Sequence, residues 1–199
     1  MTTAVCVGSG PSLTIAQTDM IEAARAAGHC HVIVVNDNWR RLPDADVLYA
    51  ADGRWWARYA ADVAAGFRGE RWTRDQDAAT KYGLCWIKSR GLPGLSRDPS
   101  VIHEGSNSGY QAIGLAYRFG AKRILLAGYD MQHRPGDPPH WFGRHPAGFT
   151  NSDGVAQWAP RFNRLADDLA AEGVELINCT TETALTIRRG DLATELARC

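Results

Sequence analysis

The sequence lacks several features that would assign it to a special class of protein. Its formal net charge is zero, because 22 Lys and Arg residues balance 22 Asp and Glu residues, and almost all of the positive charge is Arg. There is therefore no excess of positive charge for a nucleic-acid backbone or an anionic membrane. The sequence also has no apolar run of about 18 residues, the length that spans a bilayer, and no basic, apolar signal segment. These absences predict a cytoplasmic protein that neither spans membranes nor binds nucleic acid in general.

Paired cysteines are also missing. The five cysteines are odd in number, are scattered along the chain and contain no C-x-x-C pair. This spacing argues against a disulfide framework and against a thiolate zinc site, and it is typical of a reducing compartment. What the chain does have is 45% apolar residues, with seven Trp, six Tyr and five Phe among its aromatics. That content fills the core of one domain, which we predict to span residues 1–199.

Short apolar runs alternate along the chain with amphipathic helical stretches. The predicted strands are Ala4–Val7, His31–Val35, Val47–Ala50, Gly83–Ile87, Arg123–Ala127 and Val174–Ile177. The predicted helices are Gln17–Ala27, Arg54–Ala65, Ser108–Phe119, Ala156–Ala171 and Asp191–Ala197. This β-α-β rhythm predicts the α/β class, as a Rossmann-like, doubly wound, mostly parallel sheet with helices on both faces.

Two segments interrupt this rhythm. Residues 88–107 contain Gly and Pro and are predicted to form a connecting loop. Residues 129–155 form a longer irregular stretch that holds His, Pro and aromatic residues. Loops beyond about 12–15 residues in compact domains are usually functional or disordered, and the aromatic and His content favours a functional lid. We call residues 129–155 the lid segment.

Small and polar residues follow the predicted strands, where open α/β sheets bind their ligands. They are Gly8, Ser9, Gly10, Pro11 and Ser12 after the first strand, Asn36, Asp37 and Asn38 after the second, Asp52 after the third, and Gly128, Tyr129 and Asp130 after Arg123–Ala127. Ser106, Asn107, Ser108 and Gly109 open the central helix in the same way. Because these positions end parallel strands or begin helices, we expect all of them on one rim of the sheet.

The loop Gly8–Ser12 suits a phosphate in several respects. Glycines let the backbone approach an anion closely, and Pro11 fits the first turn of a helix. Ser12 and the free N–H groups behind it can receive a phosphate with the help of the helix dipole. The same residues equally fit a tight β-α turn with no ligand. Taken alone, G-x-G-P-S is neither a dinucleotide fingerprint nor a Walker loop, so both interpretations stay open.

The other rim residues also have more than one interpretation each. Asn36, Asp37 and Asn38 offer amide and carboxylate groups to a ribose or base; alternatively, Asp37 or Asn38 caps the short turn that contains Trp39. Asp52 contacts a ribose hydroxyl, holds a cation or caps the following helix, and capping is the simplest of these roles. The Ser106–Gly109 segment supplies donors for a diphosphate or ribose, or acts as an N-cap.

Three histidines and an aspartate in and beside the lid segment are the candidate catalytic residues: His133, His140, His145 and Asp130. The histidine spacings match no familiar zinc pattern, so no metal site is predicted from them. A lid histidine suits a general base, because its unperturbed pKa lies near neutrality. The alternative for each histidine is a surface loop residue without a catalytic role.

Read together, the motifs VGSGPSL, VVNDNW and SNSGYQAIGLAYRFGAKRILLAGYDM resemble two related families. They are similar to bacterial sialyltransferases that use CMP-sialic acid, and equally to the 6-hydroxymethylpterin diphosphokinase MptE-like family. The resemblance covers residues 4–55 and 104–131, and the chain length suits a small phage-encoded relative. It is moderately specific for the superfamily and poorly specific for the reaction.

The resemblance implies roles for the motif residues. Gly8, Ser9, Gly10 and Ser12 would meet the phosphate or ribose of a nucleotide, Asn36 the nucleotide or donor sugar, and Ser106–Gly109 the cytidine or phosphate. A lid histidine would act as the base, with Tyr129 as the only tyrosine of the lid segment.

Three hypotheses follow. The leading one is a glycosyltransferase-like, sialyltransferase-related enzyme that binds a nucleotide or nucleotide-sugar donor. For this enzyme the sequence does not firmly imply a cofactor. The second is an ATP-dependent diphosphokinase in which Asp52 and Asp130 hold Mg²⁺. The third is a non-catalytic nucleotide-binding phage accessory protein. The sequence does not identify the small-molecule or glycan acceptor, and a homo-oligomer is possible.

Overall fold

The structure is a computed structural model that describes residues 2–134, 136–149 and 154–199. Its strands are β1 (Thr3–Val7), β2 (His31–Val35), β3 (Val47–Tyr49), β4 (Glu70–Thr73), β5 (Cys85–Trp86), β6 (Lys88–Arg90), β7 (Val101–His103), β8 (Arg123–Ala127) and β9 (Glu175–Asn178). Its helices are α1 (Ile15–Ala26), α2 (Gly53–Gly66), α3 (Gln76–Tyr82), α4 (Ser108–Arg118), α5 (Val155–Ala171) and α6 (Leu192–Leu196). A 3-10 turn, Asn36–Arg40, follows β2.

Seven of these strands form one parallel sheet in the order β5-β4-β3-β2-β1-β8-β9. The chain runs outward from β1 to β5 and then returns to place β8 beside β1, with Val7 opposite Ala127. The strand order therefore reverses between β1 and β8, which is the point where doubly wound sheets form a ligand crevice.

Each face of the sheet is covered by helices. Along β1, Ala4 and Cys6 pack in one cluster with residues of α4 and α5, whereas Val5 and Val7 pack in a second cluster with residues of α1, α2 and α6. All five residues of β1 are buried, as expected for a central strand that is covered on both sides. The predicted fold class, a doubly wound sheet with helices on both faces, is confirmed.

Local signals explain where the two helices nearest the switch point begin. Thr14 and Gln17 form a capping box at the start of α1, since each side chain binds the backbone N–H of the other. Asn107 caps α4, because its side-chain oxygen accepts a hydrogen bond from the N–H of Tyr110.

The prediction was wrong in detail between residues 70 and 107. The strand predicted at Gly83–Ile87 is only the two-residue β5, because Gly83 ends α3 in a left-handed conformation with φ of 63°. The sequence analysis missed β4 and α3. It also described residues 88–107 as a connecting loop, whereas β6 and β7 pair there as a small parallel sheet. Each of those strands has three residues, which is too short for periodicity to reveal.

Within the described ranges, no helix is both long enough and apolar enough to cross a membrane. In the lid segment, Pro135 and residues 150–153 lie outside the described residues.

Candidate functional site

A cavity of about 430 Å³ lies at the carboxyl ends of β1, β2, β3 and β8, beside the point where strand order reverses. This volume is within the usual range for small-molecule sites. The candidate site residues line it except for Ser12, Asp37, Asn38 and His133. Those that line it are Gly8, Ser9, Gly10, Pro11, Asn36, Asp52, Ser106, Asn107, Ser108, Gly109, Gly128, Tyr129, Asp130, His140 and His145.

The glycine loop after β1 is held against the end of β8. The N–H of Gly10 donates to the carbonyl of Gly128 over 2.8 Å. A Cβ on Gly8 would stand 2.6 Å from that same carbonyl oxygen, and a Cβ on Gly10 would stand 1.9 Å from the Asp130 carboxylate. These glycines are therefore needed for the close contact of two loops, whether or not a ligand is bound.

Ser12 has its donors turned away from the cavity. Its backbone N–H donates to Oδ2 of Asp130 over 3.0 Å, and its hydroxyl donates to Oδ1 over 2.8 Å. Burial raises the pKa of the Asp130 carboxyl, and the two hydrogen bonds from Ser12 partly offset this effect. The Ser12–Asp130 pair thus ties the first helical turn after β1 to the loop after β8.

Asn38 connects the strands to the lid segment. It is fully buried, and its amide donates to the carbonyls of Val7 and Val35 and to the hydroxyl of Ser9. Its Oδ1 accepts a hydrogen bond of 2.8 Å from Nε1 of Trp141. Asn38 is therefore a structural residue rather than a ribose ligand.

Its neighbours in the turn have different surroundings. Asp37 is buried outside the cavity lining, whereas Asn36 lines the cavity with a φ of 52°. Neither Asp37 nor Asn38 occupies the cap position of the 3-10 turn, which belongs to Val35.

A charged group that includes Asp52 forms one wall of the cavity. Asp52 stands at the N-cap position of α2 but makes no capping hydrogen bond with its side chain, and it lies 3.7 Å from the guanidinium of Arg74. Arg74 also donates to the Glu104 carboxylate over 3.1 Å, which in turn accepts from the hydroxyl of Ser89. Side-chain capping by Asp52, the simplest of its predicted roles, is thus absent.

The first turn of α4 opens onto the same cavity. Gly105 and Ser106 both have positive φ, of 53° and 60°, so the chain turns sharply before the helix begins at Ser108. The hydroxyl of Tyr129 donates to the carbonyl of Gly109 over 3.0 Å and fixes this turn to the end of β8. The positive dipole end of α4 thereby lies at the cavity, which Asn107, Ser108 and Gly109 line.

Two of the three lid histidines lie in the cavity wall. The ring centroids of His140 and His145 are 4.9 Å apart, and Phe142 stacks on His140 at the same distance. Burial lowers the pKa of His140 to about 4 and also lowers the pKa of His145, while the negative charge of Asp37 raises both. Among the described residues, Nε2 of His140 has no hydrogen-bond partner. His133 does not line the cavity.

Backbone strain is concentrated at this cavity. Among the described residues, three that are not glycine have positive φ, and all three line it: Asn36, Ser106 and Met131. Such conformations cost on the order of 1–3 kcal/mol each and cluster at functional sites.

The two carboxylates proposed for Mg²⁺ have different surroundings. Both oxygens of Asp130 accept hydrogen bonds from Ser12, whereas the exposed carboxylate of Asp52 lies 3.7 Å from the guanidinium of Arg74. Among the described residues, no group of three or more His, Cys, Asp or Glu side chains is arranged to hold a metal.

Sequence reasoning missed several lining residues, among them Arg74, Glu104, Gln111, Gln132 and Trp158. Arg74 follows β4, which the sequence analysis did not identify. Only Trp72 and Thr73 of β4 are typical strand residues, so this strand carries a weak signal in the sequence.

Comparisons with known proteins show a similarity of fold to a solved structure. No protein-family model matches the chain, and no curated protein matches its sequence. The solved structure of the sialyltransferase CstII from Campylobacter jejuni, in complex with the substrate analogue CMP-3FNeuAc, is similar with a TM-score of 0.53 and 12% sequence identity. The similarity covers 97% of this chain and 88% of that chain. At this level of identity, what this chain shares with the sialyltransferase is its α/β fold.

Proposed function

We propose that this protein is a glycosyltransferase-like enzyme that binds a nucleotide-sugar donor in the cavity beside β1 and β8. The observation that carries the proposal is the convergence of the motif residues of three separate segments on this one cavity. The cavity lies at the switch point of a fold shared with a sialyltransferase whose structure was solved with a CMP-sugar analogue. Fold likeness alone does not assign a reaction, so the roles below rest on the residues of the cavity.

The phosphate of the donor lies at the start of α4 in this proposal. The N–H groups of Gly8, Gly10 and Ser12 are already bonded within the protein, whereas Ser106 and Ser108, before and at the start of α4, line the cavity. A helix N-terminus stabilises the negative charge that grows on a leaving phosphate. The glycine loop then shapes the wall against which the nucleotide lies.

His140 is the general base of the proposed transfer. The His140 residue lines the cavity, and its Nε2 is buried without a hydrogen-bond partner among the described residues. Its depressed pKa keeps the ring neutral at pH 7. A neutral imidazole nitrogen accepts the proton of an acceptor hydroxyl as the oxygen attacks the sugar.

Isothermal titration calorimetry tests the proposal with CMP, CDP, UDP and ATP, each with and without Mg²⁺. We expect CMP or CDP to bind without the metal. Ala51→Leu, which narrows the cavity, should weaken this binding at least about tenfold, because the added atoms overlap the ligand. Ala61→Leu adds the same atoms to an exposed position on α2 and serves as the matched control.

Other outcomes have a clear meaning. Binding of ATP that depends on Mg²⁺ would favour the diphosphokinase hypothesis instead. No binding of any nucleotide, or equal affinity in the Ala51→Leu variant and the wild type, would contradict the proposed site. Circular dichroism of both variants establishes that each is folded before the affinities are compared.

A further inference from the structure

We propose that Asp37 and His145 form a charge-linked chain with His140 that positions this base and stabilises the positive charge it acquires. Asp37 and His145 are positioning residues, since Asp37 acts only through the histidines. The catalytic part of this inference rests on the proposed function. The linkage of the three side chains is a property of the free protein and is tested separately below.

Asp37 is a buried carboxylate with a specific set of neighbours. Its side chain is 5% exposed, and its Oδ2 accepts a hydrogen bond of 3.1 Å from Nε1 of Trp55. Nδ1 of His145 lies 3.7 Å from this same oxygen. On the other side, Nε of Arg40 donates to Oδ1 over 3.2 Å. The carboxylate is therefore fixed with one oxygen facing His145.

The two histidine rings are held next to one another by aromatic packing. Phe142 stands 4.9 Å from both ring centroids and stacks on His140 at 16°. Phe149 stacks on His145 at 6.0 Å, and the His145 side chain is only 8% exposed. Since His140 also contacts the main chain of Ser9, its ring has little freedom to turn out of the cavity.

Electrostatic interactions indicate what Asp37 contributes to the charge-linked chain. Burial is the largest effect on both rings and lowers the pKa of each, which opposes a positive charge on His140. His145 and His133 oppose that charge further, while Asp37 favours it. Asp37 is thus the acidic group that offsets the burial of the base, and Arg40, which is 42% exposed, only partly neutralises it in return.

The proposed step balances as follows. The acceptor hydroxyl loses its proton to Nε2 of His140, and its oxygen forms a bond to the anomeric carbon of the donor sugar. The bond between that carbon and the phosphate oxygen breaks, and its electron pair leaves with the nucleotide. His140 becomes an imidazolium, which the carboxylate of Asp37 stabilises across His145 until the proton is released to water.

The test replaces Asp37 by Asn, which keeps one oxygen as an acceptor for Trp55, removes the charge and replaces the oxygen that accepts from Arg40 by an NH2 group. We expect kcat for transfer from the CMP-sugar to fall about tenfold to a hundredfold, while the affinity for CMP is unchanged. Asp62→Asn removes the same charge from an exposed position on α2 and should leave both quantities as in the wild type. An unchanged kcat in Asp37→Asn would overturn the proposal.

A second measurement does not depend on turnover. Nitrogen-15 NMR of the imidazole rings at pH 7 reports which ring nitrogen carries the proton. We expect His145 of the wild type to carry it on Nδ1, facing Asp37, and the signals of both His145 and His140 to change in Asp37→Asn. Identical spectra in the two proteins would overturn the linkage. If the wild type shows the linkage but no transfer, the proposed function fails and the charge-linked chain stands.

Discussion

Asn36 turns the chain out of β2 with a φ of 52°, and this residue lines the cavity. Asparagine tolerates this left-handed conformation better than residues such as alanine, for which it costs about 1 kcal/mol. Two substitutions separate the backbone role from the ligand role. Asn36→Gly and Asn36→Ala both delete the amide, but only the alanine adds strain.

We therefore expect the two variants to differ in stability and to agree in affinity. Asn36→Ala should lower the free energy of unfolding by about 1 kcal/mol, and Asn36→Gly by about half of that or less. Both should weaken CMP binding about fivefold, the equivalent of one lost hydrogen bond of about 1 kcal/mol. Urea denaturation and calorimetry measure the two quantities. Wild-type affinity in Asn36→Gly would show that the amide does not contact the nucleotide.

At the scale of elements, the lid segment is fastened to the sheet mainly through Trp141. The backbone N–H of Trp141 donates to the carbonyl of Ser9, and Nε1 of its indole donates to Oδ1 of Asn38. The guanidinium of Arg41 lies 3.7 Å from the centroid of the indole ring. The lid segment supplies His140 and His145 to the cavity wall. Loosening the Trp141 anchor should therefore open the wall as well as destabilise the lid.

We expect Trp141→Phe to cost about 1–2 kcal/mol, because it leaves the buried Oδ1 of Asn38 without a donor. Limited proteolysis within the lid segment should become faster, and CMP affinity should fall. Trp72→Phe is the matched control, since that indole donates to the exposed carboxylate of Glu70, outside the cavity lining. Equal proteolysis rates in the two variants would contradict the anchoring role.

Also at the scale of elements, the sequence predicts a feature correctly where the residues that produce it are close together in one helix, strand or turn. A few consecutive residues are enough to predict the buried run of β1, the glycine after it and the Asn107 cap of α4. The rim that these features form was therefore predictable. The network of Arg74 and Glu104 was not, because it joins the end of β4 to the segment before α4 across 30 positions. The role of Asp37 was hidden for the same reason, since its partners Trp55 and His145 come from α2 and the lid segment.

For the whole molecule, the buried histidines make stability depend on pH with a definite sign. The pKa of His140 is about 4 in the folded protein and near 6.5 when unfolded, so between these values the unfolded chain binds more protons. Stability therefore falls as pH decreases from 6.5 towards 4, and the lowered pKa of His145 acts in the same direction. Asp130 acts oppositely, because burial raises the pKa of its carboxyl.

Comparison of the wild type with His140→Gln isolates the contribution of one ring. Between pH 7 and pH 5 we expect the free energy of unfolding of the wild type to fall by about 1–2 kcal/mol more than that of the variant. The lower figure is expected because the ring is partly exposed. Urea denaturation at several pH values measures the difference, and His29→Gln, which removes a solvent-exposed ring, controls for the loss of a histidine. Parallel stability curves for the wild type and His140→Gln would mean that burial does not lower the pKa of His140 in the folded protein, and the cavity would then lack a desolvated base.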